Sequence, residues 1–281
     1  MNSLTNAVEE VIEVTEARDS LPPCRVLVTS GPTTNPGKSA VARHIIKPIL
    51  AKNYSGGARF IAIEDKDRLS NSEDVRYSID EIPEMLLDLG MTDDDEAVVT
   101  EIGAELFSLT MESLALLDGN KRFTFDKVIV PVPYAGDKKD VMMVFMQKII
   151  KSGVDPKTIY VIFNHVPNTA YMRGDFEKSL TSGNGDNKLF VDFLNEKGIN
   201  VCPTPIIQSD IFKTLRNMPG DNFSITAFCQ LEQNHFLKIA KRAKKMGDDN
   251  AADAAIAIDA LHSQAANFKE SFSKIYSFIF E

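Results

Sequence analysis

Residues 24–50 read "CRVLVTSGPTTNPGKSAVARHIIKPIL", and the reading of the pentapeptide "NPGKS" in its middle decides the fold. Ahead of it, "RVLVTS" (Arg25 to Ser30) is a short β-branched run bounded by turn residues, which predicts a buried strand. Behind it, "SAVARHII" has the small and apolar residues of a helix. Gly37, Lys38 and Ser39 therefore stand at the first turn of a helix, directly after a first strand. A phosphate loop needs a glycine that lets the backbone close on an anion, a lysine for the β- and γ-phosphates, and a hydroxyl for Mg²⁺, all beside the free amides of a helix start. Gly-Lys-Ser is also a commonplace helix start, and it is the strand-loop-helix setting that favours phosphate. The candidates for nucleotide contact are Thr34, Asn35, Gly37, Lys38, Ser39 and Ala40. The spacing departs from the usual G-x4-G-K-[ST], because Pro32 occupies the first glycine position and Gly31 lies one place early. Pro32 and Pro36 add rigidity and supply no N–H. Pro48, inside the helical pattern, predicts a kink or an end near His44 to Lys47.

Working outward, apolar strand-like runs alternate with helical ones about six times. Strands are predicted at Ala58 to Glu64, Glu96 to Gly103, Phe125 to Pro133, Thr158 to Val166 and Ile199 to Ile207. Helices are predicted over Ile79 to Leu89, Leu106 to Leu117, Lys139 to Gly153 and Leu189 to Gly198. Near-continuous apolar strands separated by helices are what a sheet covered on both faces requires, so the expected fold is α/β, a doubly wound and mostly parallel sheet. The expected organisation is an N-terminal helical extension (1–23), a central domain (24–225) and C-terminal helices (226–281) packed on that same domain.

Composition narrows the function classes. The chain has 281 residues, 43% hydrophobic and 25% charged, with a formal net charge of −9. That field argues against coating nucleic acid and leaves room only for a local basic patch. Cys24, Cys202 and Cys229 lie far apart without a metal-binding spacing, as reduced thiols do. The first residues are acidic with no apolar core of a signal peptide, and no apolar run reaches membrane-spanning length, so the expected location is the cytoplasm.

In such sheets ligands bind beyond the carboxyl ends of the strands. Glu101, closing an apolar strand just before Gly103, is the sharper candidate for holding Mg²⁺ together with Ser39 and for a catalytic role with Lys38. Glu64, Asp65 and Asp67 follow strand two, and a polar acidic turn explains the two aspartates without any ligand. GTP-specific loops carry N-K-x-D at a later strand, whereas "FNHVPN" puts Pro167 at the aspartate position, which disfavours guanine. Asn164 has an amide suited to adenine or, equally, to capping a turn.

Three stretches resemble the ParA/MinD branch of deviant Walker A ATPases, and within it the StbB-type plasmid stability proteins: "NPGKSAVARHIIKPIL" with "FIAIE"; "VVTEIGAELF" with "LLDG" and "FDKVIVPV"; and "KDVMMVFMQKIIKSGVDPKTIYVIFNHV". The resemblance implies a P-loop fold that binds ATP and Mg²⁺, with Lys38 and Ser39 on phosphate and metal, Glu64 as the acidic residue after strand two, Glu101 in the Walker B position and Asn164 at adenine. It implies an ATP-dependent homodimer that positions plasmids or other cargo with a DNA-binding partition or adaptor protein. Two departures stand out: the family's signature lysine is Thr33, and its Walker B aspartate is Glu101. Two other readings remain open, a P-loop metabolic enzyme such as an ATP-dependent ligase or small-molecule kinase, and a nucleotide-binding scaffold that does not hydrolyse. In the tail, Lys238, Lys241, Arg242, Lys244 and Lys245 form either a solvated helix face or a weak DNA patch. Phe268, Phe272, Ile275, Tyr276 and Ile279 form an apolar helical stripe suited to docking on the core or a partner rather than on a membrane.

Overall fold

A computed structural model describes residues 24–32, 37–63, 75–90, 95–117, 125–136, 138–182, 185–211 and 235–281. The helix predicted near the N-terminus, Thr33, Thr34, Asn35, Pro36, the acidic residues Glu64, Asp65 and Asp67, and Cys229 lie outside the described residues.

The run before the loop forms β1 (Cys24–Thr29), followed in chain order by β2 (Ala58–Ile63), β3 (Val75–Tyr77), β4 (Ala97–Ile102), β5 (Lys127–Pro133), β6 (Ile159–Asn164) and β7 (Asn200–Val201). They make one sheet of order β3-β2-β4-β1-β5-β6-β7, with β1 at its centre. Every described pairing is parallel, so the fold is the expected doubly wound one. Parallel strands need crossover helices on both faces, and Val26, Leu27 and Val28 are accordingly buried on alternate sides of the sheet.

One layer consists of α3 (Ile82–Gly90), α4 (Ala104–Leu117), α5 (Lys139–Lys151) and α8 (Asp186–Glu196). Phe107, Met146 and Phe190 from this layer pack with Leu27, Val130 and Val161. The opposite layer holds the helix after the loop and the long C-terminal helix α10 (Asp249–Phe280), whose Phe268, Phe272, Ile275 and Ile279 share a core cluster with Val28, Ile45 and Val99. The tail stripe is thus buried against the protein's own sheet. Among the described residues, no helix is long and apolar enough to cross a membrane.

Four features differ from the sequence expectation. Pro48 does not end the helix, and the irregularity expected near His44 to Lys47 takes the form of a π-helical segment. The chain runs from α1 (Lys38–Ala40) through a π-helical segment (Val41–Ile46) into α2 (Lys47–Asn53), and the Lys47 N–H donates to the Ala42 carbonyl five residues back. That wider turn places Pro48 in the first turn of the next α segment, where a missing N–H costs nothing. Strand β3 has no counterpart among the expected strands, because a three-residue edge strand with one neighbour needs no apolar run. Strand β7 is shorter than Ile199 to Ile207 because Pro203 and Pro205 cannot donate to a ladder. The chain still follows β6, with the Cys202 N–H donating to Val161 O and the Ile206 N–H to Phe163 O, each at 2.8 Å. Two short helices, α6 (Asn168–Met172) and α7 (Asp175–Thr181), are likewise additional to the expected elements.

At the start of α5, Lys139 turns inward, donates to the Pro133 carbonyl and lies 5.3 Å from the Phe163 ring centroid and 6.0 Å from that of Phe190. It is only 5% exposed. Burial lowers its pKa from 10.5 to about 8, against the opposing attraction of Asp186. Between those two pH values the folded chain has released the proton and the unfolded chain still binds it, so this group's contribution to stability rises with pH. Burial of the Cys24 and Cys202 thiols, which raises both to about 11 from 9.0, acts oppositely above pH 9. A Lys139→Met variant is therefore expected to exceed the native chain in stability by roughly 1–3 kcal/mol at pH 7, with the gap closing as pH rises through 8 toward 10. Urea midpoints of both proteins at each pH check this; a gap that does not change with pH rules it out.

Candidate functional site: the carboxyl ends of β1, β4 and β6

Strands β1 and β4 lie side by side, with Val28 in register with Glu101 and Thr29 with Ile102. The chain leaves β1 toward β2 and leaves β4 toward β5, which flanks β1 on its other side. Neighbouring strands whose connections diverge open a crevice at their carboxyl ends, the usual ligand position in this class of sheet. The Thr29 hydroxyl donates to the Ile102 carbonyl at 3.1 Å, fastening the two strand ends together at that crevice.

Into it come Gly37, Lys38, Ser39 and Glu101. Gly37 closes the loop with φ of +80°, the left-handed region that glycine enters without penalty. The next residues open α1, so the amides at Lys38, Ser39 and Ala40 belong to the first helical turn, where no intrahelical acceptor exists for them. The Lys38 ammonium forms an ion pair with Glu101 Oε1, and the Ser39 hydroxyl donates to the same oxygen at 2.6 Å. Glu101 is 2% exposed. Loop lysine, loop hydroxyl and strand carboxylate, 62 or 63 residues apart in sequence, thus meet at one point.

That convergence is the test of whether a nucleotide and its metal fit. Lys38 and Ser39 already hold one anionic oxygen in common, as a phosphate and its Mg²⁺ would require, and a buried carboxylate faces the hydroxyl. The residues fit. Lys38 would hold the β- and γ-phosphates, Ser39 would ligate Mg²⁺, and Glu101 would hold the metal or its water.

Asn164 closes β6, in register with Pro133 at the end of β5. It is buried, its Oδ1 accepts the His165 N–H at 2.8 Å, and its carboxamide nitrogen lies against Gly37. The structure brings it to the phosphate loop itself. Glu64, Thr34 and Asn35 lie outside the described residues, and Ala40 is placed on the helix without a polar role. Two residues at the site were missed from the sequence. Thr29 reads as an ordinary strand threonine. Gly31 leaves so little room that a Cβ there would come within 2.3 Å of Met142 Sδ, which makes α5 the wall of the loop entrance. Only the glycine itself, at the start of the loop, hinted at such an approach.

No protein-family model matches the chain, and no curated protein matches it. Among solved structures, the MinD cell division protein of Aquifex aeolicus is similar at 12% identity and a TM-score of 0.42, over 84% of this chain and 97% of that one.

Proposed function

We propose that the chain is an ATP-binding phosphate-loop switch that hydrolyses its nucleotide slowly, with Mg²⁺. The observation that carries the reading is the meeting of Lys38, Ser39 and Glu101 at the crevice between β1 and β4. With nucleotide bound, Lys38 would leave Glu101 for the phosphates, and the freed carboxylate and the Ser39 hydroxyl would hold the metal. Bound Mg²⁺ supplies charge neutralisation of the phosphate oxygens. Thr33 brings no second cation to the transferred phosphate, so turnover without a partner is slow. Glu64, following β2, is proposed as the residue that orients the attacking water.

Adenine is proposed over guanine because Pro167 replaces the aspartate that would read guanine. The finer role, segregation or positioning of plasmid or other DNA as an ATP-dependent homodimer with a DNA-binding adaptor, is supported by the sequence resemblance to ParA-like and StbB-like proteins. Helix α9 (His235–Lys245) carries Lys238, Lys241, Arg242, Lys244 and Lys245 and no acidic residue. If this face touches DNA, the affinity falls steeply with salt, and replacing Lys241, Arg242 and Lys245 by alanine is expected to lower the slope of log K against log salt by about 1 per cation. Binding without salt dependence would leave α9 as a solvated face.

The deciding experiment measures Mg-ATP and Mg-GTP binding and turnover with and without plasmid DNA, for the native chain and Lys38→Ala. ATP-selective binding lost in the variant, with DNA-stimulated turnover, is the expected result. Failure to bind either nucleotide would leave "NPGKS" as a helix start only.

A further inference from the structure

We infer that Asn164 is a positioning residue of the phosphate loop, holding Gly37 in the conformation that receives the phosphates, rather than a reader of the base. The inference rests on the phosphate-loop reading of Lys38 and Ser39. Three observations carry it. First, a Cβ built on Gly37 would fall 1.8 Å from Asn164 Nδ2 and 3.1 Å from its Cγ, so the carboxamide fills the space directly behind the residue that precedes the loop lysine. Second, Asn164 is 4% exposed and its Oδ1 is committed to the His165 N–H at 2.8 Å, which leaves the carboxamide nitrogen turned in toward Gly37. Third, His165 has φ of 57°, the only positive φ at a non-glycine among the described residues. Left-handed backbone at a side chain other than glycine is unfavourable and persists where the surroundings impose it, and here it lets the chain turn away immediately after Asn164. The Asn164 carbonyl, meanwhile, accepts the Tyr134 N–H at 2.8 Å, which anchors the residue to the end of β5.

The consequence is that Gly37 is glycine for two reasons, its left-handed φ and the amide packed behind it. Base selectivity then lies with other residues. A base reader and a loop buttress differ in what they do to a ligand that has no base, so inorganic tripolyphosphate with Mg²⁺ is the diagnostic probe.

Mg-ATP, Mg-GTP and Mg-tripolyphosphate binding would be measured for the native chain, Asn164→Ala and Asn164→Asp, with Lys38→Ala alongside. Asn164→Ala is expected to weaken all three by a similar factor, about tenfold, the scale of one lost polar contact. Asn164→Asp is expected to weaken them further, since it sets a carboxylate beside the phosphates. A loss confined to ATP, with tripolyphosphate unchanged, overturns the inference. A second readout needs no ligand: the stability loss caused by Gly37→Ala is expected to be smaller in the Asn164→Ala background than in the native one, because the clash is gone and only the φ strain remains. Equal losses in the two backgrounds overturn the inference whether or not nucleotide binds. Absence of all polyphosphate binding, or binding indifferent to Lys38→Ala, instead counts against the phosphate-loop reading, so the two failures are told apart.

Discussion

Replacing Lys38 with alanine is expected to lower Mg-ATP affinity by roughly 100-fold and, in the same protein, to destabilise the ligand-free fold by about 2–3 kcal/mol. The first effect follows from two charge-assisted contacts to phosphate at about 1.5–3 kcal/mol each, less the Glu101 ion pair that Lys38 gives up to make them. The second follows from Glu101. Its carboxylate is 2% exposed and pairs with Lys38 and Ser39. Removing the ammonium leaves a buried charge held by one hydroxyl, and breaking such a pair costs more than the pair itself contributes. Lys38 is itself partly exposed, which moderates the figure. The two effects separate in the double variant. Adding Glu101→Gln to Lys38→Ala removes the orphaned charge, so the urea midpoint is expected to recover much of the loss while calorimetric titration still shows no ATP binding at native affinity. If Lys38→Ala lowers the midpoint and leaves nucleotide affinity intact, the ion pair is a structural contact only and the proposed function fails.

That pair also shows which parts of the site could be read from the chain. Strand β1, the glycine and the two residues after it are adjacent in sequence, and their chemistry is recognisable because the loop must be local to work. Glu101 was found by a different signal, a carboxylate ending an otherwise apolar run. The direct contact between Glu101 and Lys38 needed the register of β1 on β4, which no local pattern encodes. Asn164 shows the limit more sharply. Its position at a strand end was evident, but whether its amide turns outward to a base or inward to Gly37 depends on the backbone at His165, and a left-handed histidine has no sequence signature. Pro48 was legible in part for a related reason: its missing N–H points to an irregular ladder near His44 to Lys47, but not to a π-helical segment through which the helix continues. Edge features such as β3 and β7 were weakest, because they bury little and so leave little pattern.

The second large effect is expected at Phe272, where substitution by alanine should cost about 3–5 kcal/mol, a large share of a typical domain's stability. Phe268, Phe272, Ile275 and Ile279 recur at helical spacing on α10 and are 6%, 4%, 0% and 1% exposed, which marks a face wholly covered by the sheet layer. The Phe272 ring lies 5.7 Å from that of Phe268, and Asn53 at the end of α2 donates its amide to the Tyr276 hydroxyl one turn on. This stripe shares its cluster with Val41, Ile45 and Ile46, the segment that follows the loop lysine. The C-terminal helix therefore supports the helix that presents Lys38 and Ser39. Ile256, on the same helix but 48% exposed, is the control, with an expected change within about 0.5 kcal/mol. Urea unfolding of the two variants checks the contrast. A terminal helix that served to bind a membrane or a partner would give the opposite pattern, with the Phe272→Ala midpoint unchanged and only the association lost. Where Phe272→Ala remains folded, its Mg-ATP affinity should stay within about twofold of native, because the ring supports the site through the stability of the layer and not through contact with the phosphates.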